Sequence, residues 1–392
     1  MKRFSILLTL VTALLLAQQI SFAQEDASLD LTDSTYTGER VSLFDSNQHQ
    51  VTYQDSTEDV QSILNSVTQS QDVSYHTNYV SNASGGKSCC DPSCPAFWEH
   101  RDHFFGEYLY LTVRGANVPY ATHVDGVGPN EVPIGPVVVA DPDYQGGFRV
   151  GGGMALDSCS SLTFNYSFFE SSHGSAAVLP GGTGLFRAEL VHPNTTNVAS
   201  DSLSTRALYD IDFDMVDINY KSLIWGGDCY SLNYLLGFRY GHTRQDLLVR
   251  YDIVGATTVE TEIDFDGFGP RIGLEGERSI GRGLLVYFRT NANFLVGEFT
   301  ADYQQNNIAA GLQAATSYDD DRIVSLLELE LGLGWQSCCG KYRLAAGYYV
   351  GAWFNSVTTP NWIDAVQRND YITEMSDTLT FDGLTARAEI RF

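Results

Sequence analysis

The chain has 392 residues with 23 basic and 48 acidic side chains, which gives a formal charge of −25 at pH 7. This excess of acid excludes a nucleic-acid binder, because such proteins need basic patches to meet phosphates. No apolar run after residue 23 reaches the roughly 20 residues of a membrane helix, which excludes a helical membrane protein. A high content of Gly, Tyr and Phe favours β structure over helix.

The first 23 residues have the pattern of a secretory signal peptide. Lys2 and Arg3 form a basic start, residues 4–17 are uncharged and mostly apolar, and Ser21-Phe22-Ala23 is a small-residue cleavage site. We therefore expect an exported protein. Removal of residues 1–23 takes away two basic residues and no acid, so the mature chain carries −27.

Residues 24–102 are rich in Ser, Thr, Asp, Gln and Asn and predict a flexible polar periplasmic arm. Apolar residues recur at helical spacing within 56–69, after a Ser56-x-x-Asp59 capping box, so a short helix is expected there. Two interpretations of this helix stay open: it forms transiently in a disordered arm, or it packs on a partner or inside a barrel.

From residue 103 to the end, segments with period-2 alternation recur, as in half-buried strands. They predict an all-β fold, a transmembrane antiparallel β-barrel of about ten strands. Eight or twelve strands stay open, since 132–140 and 185–192 could form a further hairpin. The ten strands are expected near 104–114, 147–156, 161–170, 205–220, 230–241, 262–276, 283–297, 322–335, 342–354 and 379–392.

The connections between these strands alternate between short and long. Short turns on one side and long loops on the other are the rule for outer-membrane barrels, with the short turns in the periplasm. An even strand count then places both chain ends in the periplasm. Because the outer face of such a barrel contacts lipid, we expect outer-membrane lipid as a partner.

The last strand, Leu384 to Phe392, has one apolar and one polar face and ends on an aromatic residue. Such an ending is typical of the last strand of bacterial outer-membrane barrels. It predicts an outer-membrane location and recognition by the barrel-assembly machinery through the strand that ends at Phe392.

Seven cysteines fall in the arm or in the expected short turns, and none falls in a long loop. The periplasm is oxidising, so we expect a disulfide frame between arm and turns, and the odd count leaves one thiol free or paired with a neighbouring molecule. Such pairing would give a homo-oligomer or disulfide-linked neighbours. The alternative is a zinc site formed by the cysteines within residues 89–94, although their spacing fits zinc ligands less well. The candidates are Cys89, Cys90, Cys94, Cys159, Cys229, Cys338 and Cys339.

Charged residues lie on the strand face opposite the apolar set. Charges on the lipid face cost about 2–4 kcal/mol near the midplane, so we expect these to line the lumen. The acids Asp210, Asp212 and Asp214 are assigned to the lumen as well. Between Tyr209 and Tyr220 the apolar set moves from odd to even positions, for which we expect a bulge after Met215. The candidate lumen residues are Arg239, Arg271, Arg289, Arg343, Arg387, Glu275, Glu328, Glu330 and Glu389.

Motifs for catalysis or metal binding are weak. His100 and His103 are interpreted as an interfacial polar cluster. A nucleophile–base pair within Ser171-Ser172-His173 lacks a third orienting group. Asp319-Asp320-Asp321 lacks the spacing of a calcium loop and is interpreted as a solvated loop. We therefore expect no enzyme activity, no metal and no cofactor.

The segment Phe104-Phe105-Gly106-Glu107-Tyr108-Leu109-Tyr110-Leu111 resembles the first barrel strand of the Legionella-type major outer membrane protein family, in its branch abundant in planctomycetes. The cysteine-containing turns and the Arg-x-Phe ending are similar too. The resemblance covers residues 103–392 and implies a pore-forming outer-membrane β-barrel without catalytic residues.

Three functions are compatible with these features. The first is a porin-like passive pore for small hydrophilic solutes or ions, with ion transport set by lumenal charges. The second is a structural envelope barrel, linked by disulfides or acting in surface adhesion. The third, an outer-membrane enzyme, has the least support.

Overall fold

The computed structural model of the chain describes residues 95–126, 131–179, 184–195, 201–252, 256–368 and 375–392. The expected signal peptide, the helix at 56–69 and Cys89, Cys90 and Cys94 lie outside these residues. All described residues belong to one compact unit, Ser84–Phe392.

Ten antiparallel strands close into one barrel, as the alternation predicts. The barrel strands are β1 (His103–Arg114), β4 (Gln145–Asp157), β5 (Ser160–Val178), β8 (Ser204–Gly227), β9 (Tyr230–Asp252), β10 (Thr257–Gly281), β11 (Leu284–Asn307), β12 (Gly311–Gln336), β13 (Tyr342–Ser356) and β14 (Asp377–Arg391). Their order around the barrel is β1-β14-β13-β12-β11-β10-β9-β8-β5-β4. Every one of these strands pairs with two neighbours, so the barrel sheet has no free edge.

The first and last strands seal the barrel. Phe104 pairs with Ile390 and Tyr108 with Ala386 along β1 and β14. The backbone N–H of Phe392 donates to the carbonyl of Asp102 at 2.9 Å, which ties the C-terminus to the segment before β1. The predicted terminal strand is therefore the closing strand.

Four tight turns lie at the same end of the barrel as Phe392, at residues 158–159, 228–229, 282–283 and 337–341. We call this the short-turn end and the opposite one the long-loop end. Two of the turns are held by backbone hydrogen bonds to neighbouring strands. Leu223 N–H donates to the Cys159 carbonyl at 2.9 Å, and Ser279 N–H donates to the Cys229 carbonyl at 2.7 Å.

A band of exposed apolar side chains surrounds the barrel next to the short-turn end. Phe238 and Phe268 stack with their ring centroids 5.5 Å apart, and both are more than half exposed. A continuous exposed apolar band of this kind faces lipid in a membrane barrel.

Two smaller parts lie at the long-loop end. Strands β2 (Val118–Val124), β3 (Pro133–Ala140), β6 (Leu185–Ala188) and β7 (Asp201–Ser202) form a separate sheet of order β3-β2-β6-β7. A 3₁₀ turn spans Pro193–Thr195, and helix α1 spans Thr359–Gln367 with Pro360 in its first turn. Within the described residues no helix is long and apolar enough to cross a membrane.

The segments 132–140 and 185–192 do contain strands, but these belong to the separate sheet. They do not enlarge the barrel, which keeps ten strands.

Two of the expected long loops prove to be strand. Residues 242–252 and 257–261 continue β9 and β10, and residues 298–307 and 311–321 continue β11 and β12. Strands of 23 to 26 residues greatly exceed the 9–11 residues that cross a bilayer, so the barrel wall extends well beyond the membrane.

The bulge expected after Met215 is absent. Strand β8 pairs with β5 and β9 without a register shift from Ser204 to Leu223. The apolar residues move from odd to even positions along one regular strand, because the apolar surroundings lie inside the barrel near the long-loop end and outside it within the membrane. Near the long-loop end Phe213 points inward to a core, while Ile218 points outward to lipid.

Candidate functional site in the barrel lumen

The interior of the half nearest the short-turn end carries a dense set of charges, which we call the charged lumen. These side chains alternate with the outward apolar band, because successive residues of a strand point to opposite faces. The charged lumen consists of eight bases and seven acids: Arg149, Lys221, Arg239, Arg271, Arg289, Arg343, Arg387, Arg391, Glu107, Asp217, Glu275, Glu277, Glu328, Glu330 and Glu389.

Arg239 on β9 is the most enclosed cation of this set, with 1% of its side chain exposed. It donates to both carboxylate oxygens of Asp217 on β8, at 2.5 and 2.7 Å. It also reaches Glu328 on β12 at 3.0 Å. Arg271 joins both carboxylates, at 3.2 Å from Asp217 and 3.0 Å from Glu328. Because β9 and β12 are separated by two strands, this cluster spans the lumen.

A second cluster centres on Glu330 of β12. Arg289 approaches it at 3.1 Å, and the hydroxyl of Tyr287 donates to the same oxygen at 2.8 Å. Arg149 of β4 lies 3.7 Å from Glu330 and 3.4 Å from Glu107. Since three strands separate β4 from β12, these ion pairs also cross the interior.

Nearer to the short-turn end, ion pairs follow the last strand. Glu389 accepts from Arg387 at 2.8 Å and from Arg391 at 2.5 Å. Arg343 pairs with Glu277 at 2.7 Å.

Lys221 on β8 pairs with Glu275 on β10, over the strand between them. Buried charges of this kind keep their ionised form only when each has a partner, and every member of the charged lumen has one.

All nine candidate lumen residues lie on the inward face and take part in these pairs. The sequence reasoning missed six further charges: Glu107, Arg149, Asp217, Lys221, Glu277 and Arg391. A signal for Asp217 existed, since it stands two residues from Asn219 and between the outward Val216 and Ile218.

Above the charged lumen the interior is apolar, and we call this region the apolar plug. Its centre is built from Phe169, Phe213, Leu295, Trp353, Trp362 and Phe381, each at most 1% exposed. The rings of Phe213 and Phe381 lie 4.9 Å apart and those of Phe169 and Phe381 lie 5.7 Å apart. These residues come from walls that are not adjacent, so the side chains meet across the lumen.

Gly241 shows how tightly the plug is packed. A methyl group at this position would lie 3.2 Å from Leu295 and 3.4 Å from Trp353. Trp353 is on β13, four strands from β9 by the shorter way around, so its indole reaches the opposite wall. A side chain at 241 would therefore press against both residues.

Helix α1 and the small sheet complete the plug. The indole N–H of Trp362 donates to the Asp302 carbonyl at 3.1 Å. Gln245 inside the barrel donates to the Val357 carbonyl at 2.9 Å. The hydroxyl of Tyr251 donates to the Tyr120 carbonyl at 2.6 Å. Interior barrel residues therefore hold the loop segments in place.

The outer surface beyond the apolar band is acidic, and we call it the acidic collar. It lies on the outward faces of β8 to β12 and consists of Asp210, Asp212, Asp214, Asp246, Glu260, Glu262, Asp264, Asp266, Glu298, Asp302, Asp319 and Asp321. The assignment of Asp210, Asp212 and Asp214 to the lumen is therefore wrong. Beyond the bilayer the outer face of the barrel contacts water, so charged residues are solvated there. The apolar residues of these strands pack on the inner face.

Register fixes the edge of the collar. Asp214, His242, Asp266, Glu298 and Asp321 are cross-strand neighbours in one row. The next row towards the short-turn end consists of apolar residues and one Tyr: Val216, Tyr240, Phe268, Val296 and Ile323. The boundary between water and lipid lies between these two rows.

Acids side by side on this surface titrate abnormally. Partial burial is the main cause that raises the pKa of Asp212 to about 6, and the neighbouring Asp214 contributes. Burial and nearby acids also raise the pKa of Glu262 and of Asp264. Arg244 offsets part of this effect, with contacts of 2.8 Å to Asp246 and 2.6 Å to Glu262.

The described cysteines all lie at the short-turn end. Cys159, Cys229 and Cys338 are free and exposed, each in a different turn. Cys339 is disulfide-bonded. The adjacent Cys338 and Cys339 are thus not bridged to each other. The wider disulfide frame stays a prediction.

The two histidines before β1 contact the barrel rim. His100 contacts the Ser161 hydroxyl at 2.8 Å and Asn233 at 2.9 Å, and His103 contacts the Arg101 carbonyl at 3.0 Å. No group of three metal-ligating side chains occurs in the described part of the chain.

His173 does gain a third partner, since its Nδ1 lies 3.3 Å from Asp143. Ser171 is fully buried, and its hydroxyl has no hydrogen-bond partner among the described residues.

Of the three acids at 319–321, Asp320 points inward and pairs with Arg322 at 2.9 Å, while the other two belong to the collar.

A closed ten-stranded antiparallel barrel with an outward apolar band and an inward charged set defines the class of outer-membrane β-barrel proteins. The family model of the Legionella pneumophila major outer membrane protein precursor matches residues 103–392. The chain belongs to this family, and the protein is an outer-membrane protein.

Solved barrels of similar fold share little sequence with this chain. The outer membrane protease OmpT from Escherichia coli is 10% identical with a TM-score of 0.42, covering 76% of this chain and 99% of its own. CarO of Acinetobacter baumannii is 10% identical with a TM-score of 0.26, covering 70% and 98%. The toluene transporter TodX of P. putida is 13% identical with a TM-score of 0.28, covering 74% and 70%. No curated protein sequence matches the chain.

Proposed function

We propose that this chain is a closed, structural outer-membrane barrel that is linked to neighbouring molecules by disulfides at its periplasmic rim. The observation that carries the proposal is that side chains from non-adjacent walls meet at two levels of the lumen. Arg239 and Glu328 meet at the charged level, and Gly241 and Trp353 meet at the apolar level. A passive pore for hydrophilic solutes needs a continuous aqueous path, and side chains that meet across the lumen at these two levels argue against one.

The linking part of the proposal rests on three exposed thiols. Cys159, Cys229 and Cys338 stand in separate turns of one rim. With the short turns in the periplasm, as in other barrels, they meet an oxidising compartment. Exposed free thiols can pair with a second copy or with another envelope protein.

The experiment is a non-reducing gel of outer membranes from cells that express the full chain. The proposal predicts bands above the monomer that collapse on reduction and that are lost when the three cysteines are replaced by serine. A matched control replaces Ser158 and Ser337, in two of the same turns, by alanine and keeps the bands. Monomer alone in the unreduced wild type would contradict the linkage.

The second candidate is the porin-like pore for small solutes or ions. A cavity of about 70 Å³ in the charged lumen and another of about 40 Å³ nearer the short-turn end favour it. Both cavities are lined by His103 and Lys221, so they lie next to each other. Together they form a polar recess near the short-turn end. The apolar plug would have to move before any solute could pass.

Two further roles have less support. An enzyme would need an accessible nucleophile beside its base. Ser171 is fully buried, and the exposed Ser172 points to the strand face opposite His173. Recognition by the barrel-assembly machinery remains our proposal for the terminal strand, whose Phe392 is 67% exposed and contacts the Phe104 ring.

A further inference from the structure

Residues 95–102, which lead into β1, lie across the mouth of the barrel at the short-turn end, and we call this segment the strap. Arg101 donates to two backbone carbonyls in the turn between β12 and β13, at 3.1 and 3.2 Å. Trp98 packs against β8, since a methyl group at Gly226 would lie 2.7 Å from its side chain. In the ring of ten strands β8 lies four strands from β12 and five from β13, so the strap runs from one wall to the other.

The smaller cavity of the polar recess, of about 40 Å³, lies between the strap and the barrel interior. Five successive strap residues, 97–101, line it on one side. Side chains of β5, β8, β9, β10 and β14 line it on the other. The strap is therefore a cover over the recess at this end of the barrel.

His100 is the strap residue that reaches into the barrel. Its Nδ1 lies 2.8 Å from the Ser161 hydroxyl on β5, and its Nε2 lies 2.9 Å from Oδ1 of Asn233 on β9. An amide oxygen only accepts, so the neutral ring carries its proton on Nε2 and accepts from Ser161 on Nδ1. Ser161 is 2% exposed and Asn233 is 5% exposed, so both bonds lie in the packed wall of the recess.

A second proton on the His100 ring disrupts this arrangement. With a proton on Nδ1, the Ser161 hydroxyl no longer donates to the ring and has to turn its hydrogen into a nearly closed space. Burial is the main cause that lowers the pKa of His100, because it disfavours the charged ring. Histidine changes its charge between about pH 5 and 8, so this disruption falls within the physiological range.

Charged and titratable groups surround the His100 ring. On the strap they are Glu99 and Arg101, and on the barrel they are His103, Asp157, Lys221, Glu275, Glu277 and Arg391. Lys221 and Arg391 oppose the added proton, while Glu275 favours it. Each of the four acids already has a partner, in chain order the Ala96 N–H, the Ser160 hydroxyl, Lys221 and Arg343. A charged His100 would have to compete with these partners.

We propose that the strap is a pH-sensitive cover of the polar recess, which His100 holds in place while its ring is neutral. The docked ring has a pKa below the value of about 6.5 for an exposed histidine. Its contribution to docking is therefore complete above pH 6.5 and is lost as the pH falls through the lower value. At acidic pH the strap detaches more often and the recess opens at the short-turn end. The apolar plug lies elsewhere in the lumen, so this opening makes no path through the barrel.

The test is hydrogen exchange followed by mass spectrometry on the full chain in detergent micelles, in a pH series from 5 to 8. Exchange times are scaled to compensate for the intrinsic pH dependence of amide exchange. The proposal predicts that the protection of residues 95–102 falls several-fold from pH 7.5 to pH 5.5. Protection of the barrel strands should stay unchanged. A wild-type strap that is equally protected throughout the series would overturn the proposal.

His100→Gln keeps a donor and an acceptor but does not take up a proton in this range, so its strap should be equally protected at both pH values. His242→Gln, at the edge of the acidic collar, is the matched control and should keep the wild-type response. The same response in His100→Gln as in the wild type would contradict the role of His100.

If His100→Gln leaves the strap unprotected at every pH, the wild-type series decides together with an NMR titration of the His100 ring. A loss of strap protection that follows the titration of the ring supports the proposal. A loss with a different midpoint overturns it.

Discussion

Arg239 joins two walls of the barrel through Asp217 and Glu328, and all three side chains are almost completely buried. Arg239→Gln removes one of the two arginines that contact both carboxylates and leaves Arg271 to compensate the pair. Removing one partner of a buried pair costs roughly 3–5 kcal/mol, so we expect the free energy of unfolding to fall by about that amount. Urea unfolding of the barrel in phospholipid vesicles, followed by tryptophan fluorescence, measures it.

The matched control is Arg244→Gln. This arginine contacts three acids, but 42% of its side chain is exposed, and exposed pairs are worth about 1 kcal/mol or less. A loss of similar size in both variants would contradict the assignment of Arg239 as a buried link between walls.

Asp212 makes the stability of the collar depend on pH. Its pKa of about 6 in the folded protein exceeds the value of about 3.9 for an unfolded aspartate. The folded state therefore holds the proton more tightly, and this contribution to stability is lost as pH rises from about 4 to above 6.

Asp212→Asn is expected to stabilise the protein at pH 7 by up to about 1 kcal/mol, after allowance for the partial exposure of the group. At pH 4 the effect should vanish, since Asp212 is then protonated. Thermal midpoints of wild type and variant between pH 4 and 8 test this. Ser172→Ala, an exposed change outside the collar, serves as control. A variant less stable than wild type at pH 7 would contradict the reasoning.

Single residues show where sequence reasoning succeeds. Arg239 and Glu328 could be assigned to the lumen because lipid excludes charge and both alternate with apolar neighbours. The position of Asp212 could not be predicted in this way, because lipid excludes charge from the outer face only within the bilayer. Alternation along a strand shows that its two faces differ in polarity, but it does not show which face points into the barrel.

At the scale of elements, the same strands reverse their polarity along their length. Strands β8 to β12 are apolar outside and charged inside next to the short-turn end, and acidic outside and apolar inside beyond the membrane. The ten strands and their order were predictable from alternation. Their length was not, because the charged outward residues of the extensions look like loop sequence.

Helix α1 contributes buried side chains to the apolar plug. Trp362→Ala removes a fully buried indole and leaves the Asp302 carbonyl without its donor, which we expect to cost about 3–5 kcal/mol. Hydrogen exchange followed by mass spectrometry should show lost protection near the long-loop ends of β11 and β12, with protection retained near the short-turn end.

Trp335→Ala is the control, since Trp335 is 43% exposed in the outward band. It should leave exchange at the long-loop end unchanged. If Trp362→Ala also left that exchange unchanged, the helix would not be part of the packed interior.

At the scale of the whole molecule, side chains cross the lumen in both halves of the barrel. Ion pairs cross the half within the membrane, and an aromatic core with α1 fills the half beyond it. A barrel of ten strands lies near the size at which side chains fill the interior, so both fillings are sterically natural. The family and the fold establish an outer-membrane barrel, and the occupied lumen is what favours a structural barrel over a passive pore.

The most direct test of the closed barrel is the conductance of the purified full chain in a planar lipid bilayer. A closed barrel should give no stable open level at moderate voltage, because both levels of the lumen are bridged by side chains. Vesicles that release a small entrapped dye only with a porin of known activity, and not with this chain, would agree. A long-lived open level of fixed conductance in the wild-type protein would contradict the closed barrel and favour the pore.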